Sequence, residues 1–310
     1  MKRIFGNIGK IIWAPLIFTV MQLIASFGYM IAVAVWTGIR VGFESAFSGG
    51  DVADIDSDRL EEMIVESLNM HIPMFISAAM TFAIIFAIMY KEWKIESFWS
   101  LGKIKADSNY IILIICAGLG ISANLFMSGF MAFLPVPDRE QPFEILLGDN
   151  LLLMLFTLAL VAPVIEEIVF RGIVQKKLMK MMRVPGAVIL QAVIFGIVHM
   201  DIYQGMYTII IGLVIGIVYL WYDSIYVPIV IHVAFNATSV ILYRIAGGAE
   251  INAGVFMIIT GAALFISMGF ILTLASKRPK PVYGYNGYNG YNNYDRSNNN
   301  DDDDTPPFVG

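Results

Sequence analysis

The chain has 310 residues, 58% of them hydrophobic and 15% charged, and its mean hydropathy is +0.72, against roughly 45–50% apolar and 25% charged residues in ordinary soluble domains; this composition excludes a soluble globular enzyme. The formal charge of −5 is concentrated at the end, where Arg296 stands against Asp295 and Asp301 to Asp304, so residues 1–280 hold 19 Lys and Arg against 20 Asp and Glu and offer no basic surface to nucleic acid. The single cysteine, Cys116, lies in an apolar run and excludes a disulfide framework.

A helix needs about 20 apolar residues to cross the hydrocarbon core. Eight stretches approach that length: 11–39, 72–90, 110–134, 150–173, 186–200, 206–222, 226–243 and 254–276. They predict an all-α fold, a polytopic membrane helix bundle of about eight transmembrane helices. The first follows Met1-Lys2-Arg3 as a signal peptide would, yet its apolar part far exceeds the 7–15 residues of such a leader, so it reads as a retained span. The acidic segment at 44–71 carries Leu60, Met63, Ile64 and Leu68 at helical spacing, which fits an amphipathic surface helix or a solvated loop. The fifth stretch is the shortest. In the sixth, Gly212 and Gly216 form a small-xxx-small pair, a signature of close helix packing.

Beyond residue 280 the chain repeats Tyr-Asn-Gly and ends in an acidic run, a composition that buries almost nothing. The expected organisation is therefore a membrane-embedded unit over 1–280, with its chemistry at about 150–245, and a disordered tail over 281–310.

Lys and Arg set the orientation. With the N-terminus inside, cytoplasmic segments collect 15 of them and outer segments only four, Arg40, Arg59, Arg139 and Arg244. The expected topology is N-in and C-in.

Ionisable groups within spans are costly and mark function by default. Here they are few: Glu166 and Glu167 with Arg171 in the fourth stretch, His199 at the end of the fifth, and His232 with Asn236 in the seventh. Glu167 and Arg171 are four residues apart and can pair along one helix face. That leaves Glu166, about 100° round the helix, as the less compensated carboxylate. His232 and Asn236, also four apart, project to one side. A carboxylate in a low-dielectric cavity with a nearby imidazole can do acid–base work, and neutral donors from a histidine and an asparagine can bind an oxyanion. Peptide hydrolysis by activated water needs such a set. A satisfied structural Glu–Arg pair in a non-catalytic scaffold or immunity protein, or the Glu and His chain of a proton-coupled transporter, would use the same residue types.

The segments Glu166-Glu-Ile-Val-Phe-Arg171, Phe195-Gly-Ile-Val-His199 and His232-Val-Ala-Phe-Asn236 resemble, in order, the three motifs EExxxR, FxxxH and HxxxN of the CPBP (Abi) intramembrane proteases, bacterial relatives of the type II CAAX prenyl endopeptidase. The resemblance covers 163–236, about a quarter of the chain. It implies a multi-pass cell-membrane endopeptidase with its site in a cavity facing the cytoplasm, acting on membrane-associated peptides or proteins amid lipid. By it, Glu166 and His199 would activate water and His232 and Asn236 would hold the oxyanion. Glu167, Arg171 and Phe195 would shape the site. The family is named as metalloproteases. The His-Glu-x-x-His pair of zinc proteases is absent, while Glu166, His199 and His232 could bind a divalent metal such as zinc, so both chemistries stay open. No serine or paired-aspartate protease motif is present. One tension remains in the spacing: Glu166 and His232 fall about 10 Å from the cytoplasmic ends of their stretches, and His199 about 20 Å from the start of its own.

Overall fold

A computed structural model describes residues 2–48, 57–69, 71–95, 109–134, 150–246 and 252–279. The tail at 281–310 and the acidic residues 49–56 lie outside the described residues. All regular structure described is helical, as a chain in hydrocarbon must be when each backbone N–H and C=O needs a partner of its own. The helices are α1 (Lys2–Ser48), α2 (Ser57–Ser67), α3 (His71–Ile95), α4 (Asn109–Ala132), α5 (Leu151–Met179), α6 (Val184–Ile197), α7 (Ile202–Tyr222), α8 (Tyr226–Ala246) and α9 (Ala253–Lys277). Large apolar side chains such as Trp36 and Phe47 of α1 and Phe265 and Leu272 of α9 point outward. An apolar exterior of this kind suits lipid.

Seven of these helices are long and apolar enough to cross a membrane. The fifth expected span, 186–200, is realised as α6, 14 residues long, or about 21 Å against a core of about 30 Å. It nevertheless reverses the chain like its neighbours. A Cβ placed on Gly212 would meet Ala192 and Phe195, and one on Gly216 would meet Val188 and Gln191, so α6 and α7 run antiparallel. Gly196 faces Ile209 and the Gly205 carbonyl so closely that a Cβ there would come within 2.8 Å of that carbonyl oxygen. Met200 turns the chain with a positive φ of 53°, and the Asp201 side chain caps α7 by accepting from the Gln204 N–H at 2.8 Å.

The expected amphipathic helix in the acidic segment exists as α2, which rests on α1 with Leu60, Met63 and Ile64 half-buried. Two apolar cores hold the bundle. One joins Phe18 of α1 and Ile85 of α3 to Phe170 and Ile173 of α5 and Phe195 of α6. The other joins Leu119 of α4 to Ile215 of α7, Ile231 and Phe235 of α8 and Leu274 of α9. His71, the third histidine, is buried and ties α3 to α5 through Nδ1···Thr157 Oγ1 at 2.5 Å.

Helix α5 is unlike the rest. Two π-helical stretches, Leu155–Val161 and Ile168–Gln175, bracket a short α-helical turn, Ala162–Glu167. π segments are rare and concentrate at functional sites. The sequence reading ended this span at 173, before Gln175 and the lysines, but the helix runs on to Met179. The polar residues do not end it because they are satisfied inside: Arg171 and Gln175 are fully buried and donate to the Gly212 and Gly216 carbonyls of α7 at 3.3 and 2.9 Å. Glu166 thus stands about 20 Å from the end of α5, and His199 about the same from the start of α6. The extension of α5 removes the difference between Glu166 and His199, while His232 stays about 9 Å from the start of α8.

Candidate active site

The α-helical turn of α5 presents Glu166 and Glu167 toward α8, where His232 lies between them. Glu167 Oε1 accepts two hydrogen bonds, from Arg171 Nη1 at 2.7 Å and from His232 Nδ1 at 2.7 Å. Both Glu167 and Arg171 have no exposed side-chain surface. The expected Glu167–Arg171 pair is therefore present, and it serves a further partner. A carboxylate only accepts, so His232 carries a proton on Nδ1 and turns Nε2 toward Glu166, whose Oε2 is 3.6 Å away. Glu166 makes no ion pair with Arg171 among the described contacts and retains slight exposure, 12% of its side chain. This is the less compensated carboxylate that the helical spacing predicted.

Phe195 organises the other side. Its buried ring lies edge-on to His199 at 4.9 Å, to His232 at 5.9 Å and to Phe170 at 4.8 Å between centroids. The Arg171 guanidinium sits 4.9 Å from the same ring centroid, a favourable placement of a cation on an aromatic face. One side chain therefore fixes both site histidines and the arginine. His199 extends beyond the end of α6, half-buried, with Nδ1 2.7 Å from the Phe195 carbonyl. A carbonyl accepts, so the proton sits on Nδ1 and Nε2 keeps its lone pair.

Asn236, one turn beyond His232, donates from Nδ2 to the Leu158 carbonyl of α5 at 3.0 Å. An amide carries two N–H donors, so this bond occupies one of them. Among the described residues no three His, Cys, Asp or Glu side chains converge as a metal would require. Glu166 and His232 approach one another as two donors, while Glu167 is committed to Arg171 and His232. This arrangement does not fit a three-ligand zinc site.

Sequence reasoning missed the backbone carbonyls that Arg171 and Asn236 bind. Gly212 was legible only as a packing residue, yet its carbonyl accepts from Arg171, and nothing in the sequence singled out Leu158.

Residues 148–238 match the family described as Type II CAAX prenyl endopeptidase Rce1-like. The chain is also 33% identical over 90 residues to the Bacillus subtilis (strain 168) protein named "Putative membrane peptidase YdiL", an overlap of 29% of this chain and 37% of that protein. The alignment thus spans little more than a third of the relative's length. No solved structure matches the chain. All three motifs fall inside the matched segment, so over residues 148–238 the chain is similar to the CPBP proteins, the relatives of the type II CAAX prenyl endopeptidase.

Proposed function

We propose that the protein is an intramembrane endopeptidase that hydrolyses membrane-associated peptides or proteins with water activated by Glu166. The observation that carries this reading is the bridge made by His232, with Nδ1 on the Arg171-bound Glu167 and Nε2 facing Glu166 across 3.6 Å. Glu166 takes a proton from water as the oxygen attacks the scissile carbonyl, and the proton passes to the leaving amine. The Glu167 carboxylate holds Nδ1–H, and the imidazolium form of His232 donates its Nε2–H to the oxyanion as it forms. The second N–H of Asn236 is the companion donor. His199, with Nδ1 held by a carbonyl and Nε2 free to accept, orients the water or relays its proton. Donors fixed before the reaction need no reorganisation in the low-dielectric interior, which makes such stabilisation effective. The 15-to-4 distribution of Lys and Arg supports a site reached from the cytoplasmic side of the cell membrane.

The test is cleavage of a membrane-peptide library by purified protein in liposomes, with products read by mass spectrometry. Wild type should cleave. His199→Ala and His232→Ala should each lose at least a hundredfold, the lower end of acid–base contributions, with folded protein retained. Inactivity of wild type on every substrate, with the variants indistinguishable from it, would favour a non-catalytic scaffold. Loss of cleavage in chelator, restored by zinc, would move Glu166, His199 and His232 to metal ligation.

A further inference from the structure

Pro163 creates a problem three residues before Glu166. Its nitrogen has no hydrogen, and its ring needs room against the preceding turn. The chain meets the second demand by widening into the π stretch Leu155–Val161, in which the Ala162 N–H bonds the Thr157 carbonyl five residues back. The next bond of that pattern would run from residue 163 to the carbonyl of Leu158, and Pro163 cannot make it. A carbonyl left bare inside a bilayer is strongly unfavourable, because no water reaches it there. Leu158 is where Asn236 Nδ2 donates, at 3.0 Å.

We infer that Asn236 is a positioning residue, standing in for the missing N–H of Pro163 and thereby holding the register of α5 that points Glu166 and Glu167 at His232. The glutamates occupy the one α-helical turn between the two π stretches. Where the first stretch ends sets their direction, because a shift of one residue turns a helical side chain by about 100°. His232 and Asn236 lie one turn apart on α8, so the same helix that supplies the imidazole also locks the carboxylates facing it. This role uses one N–H of the amide and leaves the other for the oxyanion. The effect on cleavage rests on the proteolytic reading; the effect on the helix does not.

The test is a double-mutant cycle of Pro163→Ala and Asn236→Ala in the full chain, reading Tm in detergent and cleavage in liposomes. Alanine at 163 restores an N–H that can bond Leu158, so the cycle couples the two positions. Asn236→Ala alone should lower Tm and cut kcat at least tenfold with KM within about twofold. In the Pro163→Ala background the same change should cost little Tm and recover part of kcat. Pro163→Ala alone should keep cleavage within about threefold. If Asn236→Ala yields no folded protein, recovery of folded yield in the Pro163→Ala background is the same result. An equal Tm loss in both backgrounds, no loss in either, or no recovery of yield would overturn the inference. Coupled Tm values with no cleavage by any variant, wild type included, would leave the inference standing and remove the proteolytic reading.

Discussion

Glu167 is heavily committed, with one oxygen shared by Arg171 and His232 at 2.7 Å each. It converts a costly buried guanidinium into a device for fixing an imidazole tautomer, and it spares Glu166 for chemistry. Arg171 does three things at once: it bonds Glu167, bonds the Gly212 carbonyl and lies on the Phe195 ring. A lysine, with a compact charge and no planar fork, cannot reproduce the set. Arg171→Lys should therefore lower stability by about 1.5–3 kcal/mol, the range for hydrogen bonds to a charged group, measured as a fall in Tm with cleavage partly retained. Phe195→Ala should cost more, about 3–5 kcal/mol for a buried aromatic, and should lower kcat as both histidines lose their common support. Unchanged Tm in both variants would remove the hub from the account. The sequence made Glu166, Glu167, Arg171, His199, His232 and Asn236 legible because ionisable and amide groups stand out against an apolar background. It could not show that Asn236 binds Leu158, since a backbone carbonyl has no residue identity to betray it.

At the level of elements, α5 departs furthest from the regular pattern. A straight α-helix was the natural expectation from 150–173, and two π stretches and an end at Met179 were not legible. The reason is physical: hydropathy treats Gln175 and the lysines after it as signs of a helix end, whereas here Gln175 and Lys177 are buried. α6 was legible as an apolar helix but is too short to span. Its antiparallel packing on α7 still predicts that Lys180 and Met200, at opposite ends of α6, lie toward opposite faces of the membrane. Single cysteines at these two positions in a Cys116→Ser background should label from opposite sides with an impermeant maleimide. Labelling of both from the same side would make α6 a re-entrant segment and would place α7 and the helices after it in the reverse sense.

Over the whole molecule, the candidate site lies at the junction of α5, α6 and α8, between an apolar core on the α1–α3 side and another on the α4–α9 side. The flanking helices enclose the site and present lipid-facing side chains outward. The fold class was legible from composition and span length because lipid permits little else to an apolar chain of this kind. The meeting of the three motif-bearing helices was not, since contacts between residues some 30 to 70 positions apart leave no periodic trace. The central claim is that Glu166 is the base that activates water. Its most direct test is the rate of cleavage by purified Glu166→Gln beside wild type, on one peptide that wild type cuts, with Tm recorded for both. Glutamine preserves volume and hydrogen bonding while removing the base, so the account predicts a loss of about 10²–10⁴-fold or more at an equal or raised Tm. Equal rates for the two proteins would contradict it.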